Sequence, residues 1–118
     1  YYFEGEEDGM VRDYCYVKDI ARASLIASEG EKVGIFNIGT GKGTCTRDLY
    51  NSIINALRKK GVKIPEAFNE PRHGFARAGE IRASTLDVSR AKKELGWEAG
   101  YSLNDGLSET VEWYLNKA

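Results

Sequence analysis

Three glycines, each placed directly after a run of helix-forming residues, divide this chain into short helical segments. Gly30, Gly61 and Gly96 occupy these positions, and glycine is the residue that most often ends an α-helix because it adopts left-handed backbone conformations freely. A fourth helix is predicted near the C-terminal end, where Ser102 and Asp105 have the spacing of a capping box. The pattern predicts about four helices in a chain of 118 residues.

The second and fourth helices carry apolar residues at the spacing of one helical face. These residues are Leu49, Ile53, Ile54 and Leu57 in the second helix, and Leu103, Leu107, Val111, Tyr114 and Leu115 in the fourth. The first helix, residues 20–28, is rich in alanine and serine, so it can pack closely against a neighbour. The predicted N-caps of the first, second and third helices are Asp19, Thr44 or Thr46, and Asp87.

Two short β-prone runs precede these helices. Residues 14–17 contain two tyrosines and a valine, residues 35–38 are mostly apolar, and both runs predict strands. Residues 66–80 contain proline and glycine and are predicted to be irregular. Short strands among helices predict a mixed α/β fold, with residues 1–118 forming a single domain.

Composition excludes several classes of partner. The formal net charge is −1, and basic and acidic residues, 30% of the chain, are interspersed, which argues against a nucleic-acid partner. No apolar run approaches the roughly 20 residues that span a bilayer, so no membrane partner is expected. Cys15 and Cys45 lack the spacing of a disulfide framework or a metal site. We expect reduced thiols, no metal and a cytoplasmic protein.

The glycine loop, residues 39–44, has the composition of a phosphate-binding loop but not its spacing. A Walker loop needs Ser or Thr directly after Gly-Lys, whereas Lys42 is followed by Gly43. A dinucleotide fingerprint needs Gly-x-Gly-x-x-Gly, and Gly43 comes one residue early. The loop is therefore predicted to be a turn between a strand and a helix, and not a cofactor site.

Three motifs are informative in combination. They are Arg12-Asp13-Tyr14-Cys15-Tyr16-Val17-Lys18-Asp19-Ile20-Ala21, Arg77-Ala78-Gly79-Glu80-Ile81 and Leu95-Gly96-Trp97. In this order, with a strand–turn–helix unit between the first two, they resemble the C-terminal part of the extended short-chain dehydrogenase/reductase (SDR) epimerases that act on nucleotide sugars. The UDP-glucose 4-epimerases are the most similar group. The resemblance covers residues 5–115.

The resemblance implies a division of labour in the intact enzyme. This chain is expected to be the substrate-binding part, without the main Rossmann domain. NAD and the catalytic Tyr-x-x-x-Lys would belong to an N-terminal part, so no catalytic or cofactor-binding residue is expected here and the chain alone should be inactive. The expected partners are a UDP-sugar and, for the intact enzyme, a second subunit in a homodimer. Residues 20–28 and 35–38 would face the N-terminal part, so the chain alone is expected to self-associate.

The resemblance also assigns four substrate-binding residues. Arg12 and Arg77 would contact the substrate diphosphate, a role suited to the planar, permanently charged guanidinium group. Tyr14 would line the nucleotide pocket. Glu80 would accept a hydrogen bond from a ribose hydroxyl, at a position where UDP-glucose 4-epimerases usually have aspartate. Arg72 is a rival phosphate ligand in the same loop.

Other residues and alternatives complete the set of expectations. Asp13 is expected to orient neighbouring backbone or arginine groups, and His73 to be a solvated loop residue. Trp97, Trp113 and Tyr114 are expected to pack between elements. The related 4,6-dehydratases and decarboxylases share the C-terminal pattern, and a stand-alone nucleotide-sugar-binding module without catalysis is a further alternative.

Overall fold

The computed structural model describes residues 8–117, which form four α-helices, a 3₁₀ helix and a small sheet. The order is β1 (Val11–Arg12), α1 (Val17–Glu29), β2 (Thr44–Cys45), α2 (Thr46–Lys59), the 3₁₀ helix (Glu66–Phe68), β3 (Ala83–Ser84), α3 (Ser89–Leu95) and α4 (Leu103–Leu115). This confirms the predicted mixed α/β class with four helices and a few short strands.

The three strands form one sheet in the order β2-β1-β3. Strand β1 is antiparallel to β2, with Val11 opposite Cys45, and parallel to β3, with Arg12 opposite Ser84. The N–H of Val11 donates to the carbonyl of Arg82 at 2.9 Å. The sheet therefore joins residues 82–84, which follow the motif at residues 77–81, to Val11 and Arg12 at the start of the first motif.

Trp97 lies at the centre of the core, fully buried against Ala23 of α1 and Ala91 of α3. Its indole Nε1–H donates to the backbone carbonyl of Asp19 at 3.2 Å, so the polar end of the ring is satisfied. A buried tryptophan removes a large apolar surface from water. The predicted packing role of Trp97 is confirmed.

The predicted strand at residues 14–17 is wrong. The ladder is formed by the two residues of β1, and Val17 already begins α1. Tyr16 is the N-cap of α1, and its ring lies so close to Gly106 of α4 that a Cβ at Gly106 would meet it at 3.0 Å. Packing of this aromatic residue against a helix, and not strand pairing, explains why the run is apolar.

The predicted cap at Asp19 is also wrong, because Asp19 lies in the first turn of a longer α1. Its side chain is 1% exposed. The carboxylate accepts hydrogen bonds from the N–H groups of Gly100 and Tyr101 at 2.9 and 3.0 Å and from Arg22 at 3.1 Å. Asp19 therefore connects α1 to the segment before α4.

Residues 35–38 do not form the predicted strand, and no strand within residues 8–117 pairs with them. The carbonyl of Ile35 accepts a hydrogen bond from Arg90 at 3.1 Å, and the amide of Asn37 donates to the carbonyl of Asp87 at 3.0 Å. The Ile35 side chain is 87% exposed. Phe36 and Ile38 are half-buried against the core around Trp97, so the apolar pattern of this run reflects packing on the core and not strand pairing.

The caps of α2 and α3 differ from the prediction. The N-cap of α2 is Cys45 and not Thr44 or Thr46. The Cys45 Sγ accepts a hydrogen bond from the N–H of Asp48. Asp87 lies one residue before the N-cap of α3, and its carboxylate accepts from the N–H of Ser89 at 2.9 Å.

The capping box of α4 is confirmed, with Ser102 and Asp105 bonded in both directions. Gly96 ends α3 in the left-handed region, with φ 64°, as its position predicted. Val111 is buried on the inner face of α4, but the same expectation is wrong for the end of the helix. The exposed fractions there are 52% for Trp113, 65% for Tyr114 and 41% for Leu115.

Candidate functional site

The carboxylate of Asp13 organises the glycine loop. It accepts hydrogen bonds from the N–H of Thr40 at 2.8 Å, the N–H of Gly41 at 2.9 Å and the Thr40 hydroxyl at 2.5 Å. A fourth bond comes from the N–H of Leu86 at 3.4 Å. Gly39 is required by this contact, because a Cβ there would lie 2.7 Å from the Asp13 carboxylate. The expectation that Asp13 orients backbone groups is confirmed.

Burial alone would raise the pKa of Asp13, but the bonds from the Thr40 hydroxyl and the three amides outweigh it and lower that pKa. The carboxylate is therefore charged at neutral pH, and it accepts hydrogen bonds from the loop amides of Thr40 and Gly41. A phosphate needs such amides free to donate. The amides of Thr40 and Gly41 are therefore engaged by Asp13 and not free to donate to a phosphate.

Arg12 lies at the centre of the sheet, half-buried on β1. Its Nη1 donates to the carbonyl of Val11 at 2.8 Å, and Nη2 lies 3.6 Å from the sulfur of Met10. Within residues 8–117 the guanidinium group thus makes one short hydrogen bond to a backbone carbonyl and one long contact to sulfur.

Arg77 and Glu80 lie at the two ends of one turn. The N–H of Glu80 donates to the carbonyl of Arg77 at 3.1 Å, and Gly79 between them has a φ of 80°, which favours glycine. Arg77 is exposed and Glu80 half-buried. This turn precedes β3, the strand parallel to β1, in which Ser84, seven residues after Arg77, lies opposite Arg12. Convergence of their side chains on one diphosphate stays a prediction.

Tyr14 lines two adjoining cavities. The polar groove, about 660 Å³, is formed by Thr40, Lys42 and Thr44, by the N-cap of α3 and one residue within that helix, and by residues 98–104. The apolar pocket, about 350 Å³, lies between residues 14–17, Leu49 and the first two turns of α4. Neither cavity is lined by Arg12, Arg77 or Glu80. The structure therefore places Tyr14 beside a second concave surface, apart from the turn before β3.

Sequence reasoning did not select Lys42 as a binding residue. It was set aside with the loop because the phosphate-loop spacing is absent, yet the structure places it in the wall of the polar groove. The signal that could have found it is a lysine in a glycine loop with no acidic residue from 32 to 47.

Tyr16, Lys18 and Glu109 form a surface cluster between α1 and α4. The carboxylate of Glu109 accepts from Lys18 at 2.5 Å and from the Tyr16 hydroxyl at 2.9 Å. The bond to Lys18 and the bond to Tyr16 lower the pKa of Glu109. Desolvation and the bond to Glu109 raise the pKa of Tyr16, so this tyrosine is a poor source of phenolate. The cluster ties the two helices together.

Within residues 8–117 no group of three or more His, Cys, Asp or Glu residues is arranged to hold a metal ion. Across the same residues no helix is long and apolar enough to cross a membrane. His73 is exposed in its loop, and Arg72 beside it is exposed as well.

The fold and sequence agree with one family. The sequence profile of the GDP-mannose 4,6 dehydratase family matches residues 4–110. The chain belongs to this family. It corresponds to the C-terminal part of the extended SDR enzymes, as the motifs predicted.

Characterised relatives are similar over nearly the whole chain. The UDP-glucose 4-epimerase of Mycolicibacterium smegmatis is 37% identical over 111 residues, which are 91% of this chain and 32% of the relative. The UDP-glucose 4-epimerase of Thermotoga maritima, solved with UDP-glucose, is 39% identical with a TM-score of 0.79, over 94% of this chain and 33% of the enzyme. The Thermus thermophilus UDP-glucose 4-epimerase, solved with NAD, is 29% identical with a TM-score of 0.80, over 95% of this chain and 33% of the enzyme. The chain thus spans about a third of the length of these relatives.

Proposed function

We propose that this chain is the sugar-nucleotide-binding portion of an NAD-dependent UDP-sugar 4-epimerase acting on UDP-glucose or UDP-galactose. The observation that carries the proposal is the similarity to the T. maritima enzyme, which was solved with UDP-glucose, at 39% identity and a TM-score of 0.79. In this proposal the chain is one domain, residues 1–118, of a cytoplasmic enzyme that works as a homodimer.

Arg12 and Arg77 would hold the substrate diphosphate. The strand pairing supports this role, because β3 lies alongside β1 and brings the turn that carries Arg77 towards Arg12. Two guanidinium groups repel each other, and an anion between them removes the repulsion. Each can also make paired, charge-assisted hydrogen bonds to phosphate oxygens.

Glu80 and Tyr14 would contact the nucleoside. The turn fixes Glu80 three residues from Arg77, so a carboxylate lies beside the phosphate-binding group where a ribose hydroxyl can donate to it. Tyr14 is two residues from Arg12 and presents an aromatic face suited to stacking.

The contribution of this chain to the reaction would be binding and orientation. NAD would supply hydride transfer from another part of the enzyme, since the glycine loop here has its amides occupied by Asp13. The exposed side chains of Val33 and Ile35, at 95% and 87%, would be covered by that part. The four substrate-binding residues then hold the sugar against the cofactor.

A related nucleotide-sugar 4,6-dehydratase or decarboxylase is the second candidate. The observation that favours a dehydratase is the family match itself, whose description is GDP-mannose 4,6 dehydratase. A stand-alone nucleotide-sugar-binding module without catalysis is the third. The nucleotide preference of the chain separates the first two.

The test is a titration of the 118-residue chain with UDP-glucose, dTDP-glucose and GDP-mannose, followed by backbone amide NMR shifts. We expect UDP-glucose to bind most tightly and to shift the amides of Arg77, Gly79 and Glu80. Tighter binding of GDP-mannose or dTDP-glucose at the same amides would favour the dehydratase. Absence of saturable shifts in this turn with all three would contradict the proposed binding site.

A further inference from the structure

The polar groove carries an excess of positive charge. Its wall contains two ammonium groups, Lys42 and Lys92, and one carboxylate, Glu98, which gives a net formal charge of +1. Lys92 is paired with Glu98 at 2.5 Å. Lys42 makes no side-chain hydrogen bond or ion pair within residues 8–117. The uncompensated charge of the groove is therefore that of Lys42.

Other polar side chains in the groove also lack partners in the part of the chain described. The hydroxyl of Thr44 and the amide of Asn104 line the groove, and neither forms a hydrogen bond with residues 8–117. Together with Lys42 they provide a cation and neutral groups that can donate to an anion. A small set of convergent polar groups in a large concavity is the usual composition of a ligand site.

The apolar pocket continues the groove on its other side. The two cavities share Tyr14, Ser102 and Leu103. Beyond the shared residues the apolar pocket is lined by Leu49 and Leu107 and by no charged side chain. One molecule can therefore place an anionic group near Lys42 and an apolar body over Leu103 and Leu107.

We propose that the polar groove and the apolar pocket form one site for a small organic anion, a phosphate ester or a carboxylate on an aromatic or aliphatic body. The site lies apart from the turn that carries Arg77 and Glu80, and it shares only Tyr14 with the proposed nucleotide-sugar site. It does not rest on the proposed epimerase function. Lys42 binds the anionic group, and Thr44 and Asn104 donate further hydrogen bonds to it. The first two turns of α4 contact the apolar body.

Phenyl phosphate is a suitable probe, because it has both chemical features. We expect it to bind the 118-residue chain saturably and to shift the amides of Lys42, Leu103 and Leu107 in NMR spectra. Inorganic phosphate, which lacks the ring, and benzyl alcohol, which lacks the charge, should each bind at least about fivefold more weakly. Phenylacetate is the matching carboxylate probe. Binding as tight as that of phenyl phosphate would show that the site accepts a carboxylate as well as a phosphate.

Three variants test the location. Lys42→Ala removes the charge from an exposed position and should weaken phenyl phosphate by about tenfold, the value of one charge-assisted bond. Lys63→Ala is the matched control, since Lys63 is exposed and lines neither cavity. Arg77→Ala should leave the phenyl phosphate shifts at Lys42, Leu103 and Leu107 unchanged, because Arg77 lines neither cavity.

Two results would overturn the proposal. One is equal affinity of the Lys42→Ala and Lys63→Ala variants for phenyl phosphate. The other is a loss in Arg77→Ala as large as that in Lys42→Ala, because the probe would then occupy the nucleotide-sugar site. Failure of UDP-glucose to bind the turn before β3 would leave this proposal standing, so the two can fail separately.

Discussion

Asp13 binds Thr40 twice through one carboxylate oxygen, which accepts from the backbone N–H at 2.8 Å and from the hydroxyl at 2.5 Å. The two residues are 27 positions apart in sequence. The second oxygen accepts from Gly41 at 2.9 Å. This contact holds the glycine loop against the end of β1, and it engages the amides of Thr40 and Gly41.

Replacing Asp13 with asparagine should lower the free energy of unfolding by about 2 kcal/mol at neutral pH, because charge-assisted bonds to the loop are lost. The folded pKa of Asp13 is lowered, so its stabilisation is fully present above the ordinary aspartate pKa and is lost as the pH falls through the lower, folded value. Chemical denaturation of both proteins across acidic pH should therefore show the difference shrinking. Glu31→Gln, at an exposed position, is the control. A difference independent of pH would contradict the role of the charge.

Asp19→Asn should destabilise the chain by about 3 kcal/mol. The buried carboxylate accepts hydrogen bonds from the N–H groups of Gly100 and Tyr101. In the asparagine variant the side-chain NH₂ would face one of these N–H groups, so that hydrogen bond would be lost. Urea denaturation measures the change, and the same exposed Glu31→Gln variant should change little. Loss of less than about 1 kcal/mol would show that solvent or rearrangement satisfies these amides.

The two tryptophans should respond very differently to substitution. Trp97 is fully buried and Trp113 is 52% exposed. Trp97→Ala should cost about 3–5 kcal/mol through the cavity it leaves, whereas Trp113→Ala should cost about 1 kcal/mol or less. Thermal unfolding of the two variants provides the comparison. Equal losses would mean that α4 packs differently from the arrangement described.

The start of α4, the end of α3 and the principal core residue could be predicted from the sequence, because the signals for them are local. The capping box of Ser102 and Asp105 and the glycine at 96 act over three or four residues, and both are present. The position of Trp97 in the core followed from its size.

Features that depend on distant partners were predicted wrongly. Aspartate is a common helix cap, but the Asp19 carboxylate instead accepts hydrogen bonds from the amides of Gly100 and Tyr101, which lie 81 and 82 positions further along the chain. Residues 35–38 have a strand pattern, but pairing requires a neighbour that residues 8–117 do not supply. The candidate site residues fall into the same two groups. The sequence motifs selected Arg12 and Arg77 as candidate phosphate ligands, a role that stays a prediction. Lys42 enters the wall of the polar groove only through tertiary structure.

The exposed apolar side chains should cause the 118-residue chain to self-associate. Val33 and Ile35 are 95% and 87% exposed, and exposed apolar side chains close together in the chain favour association. Sedimentation velocity should show species larger than a monomer at high concentration, and Val33→Lys with Ile35→Lys should reduce them. Phe68→Lys, at a side chain 57% exposed in the 3₁₀ helix, is the control. A strictly monomeric wild-type chain would contradict this prediction.

The central claim, that the turn before β3 binds the diphosphate of a nucleotide sugar, is tested most directly by calorimetric titration of UDP into the chain and two arginine variants. Arg77→Ala should weaken binding by about tenfold or more, because it removes charge-assisted bonds to phosphate. Arg72→Ala, at an exposed position in the same loop, should change the affinity much less. Equal UDP affinity for Arg77→Ala and the wild-type chain would contradict the claim.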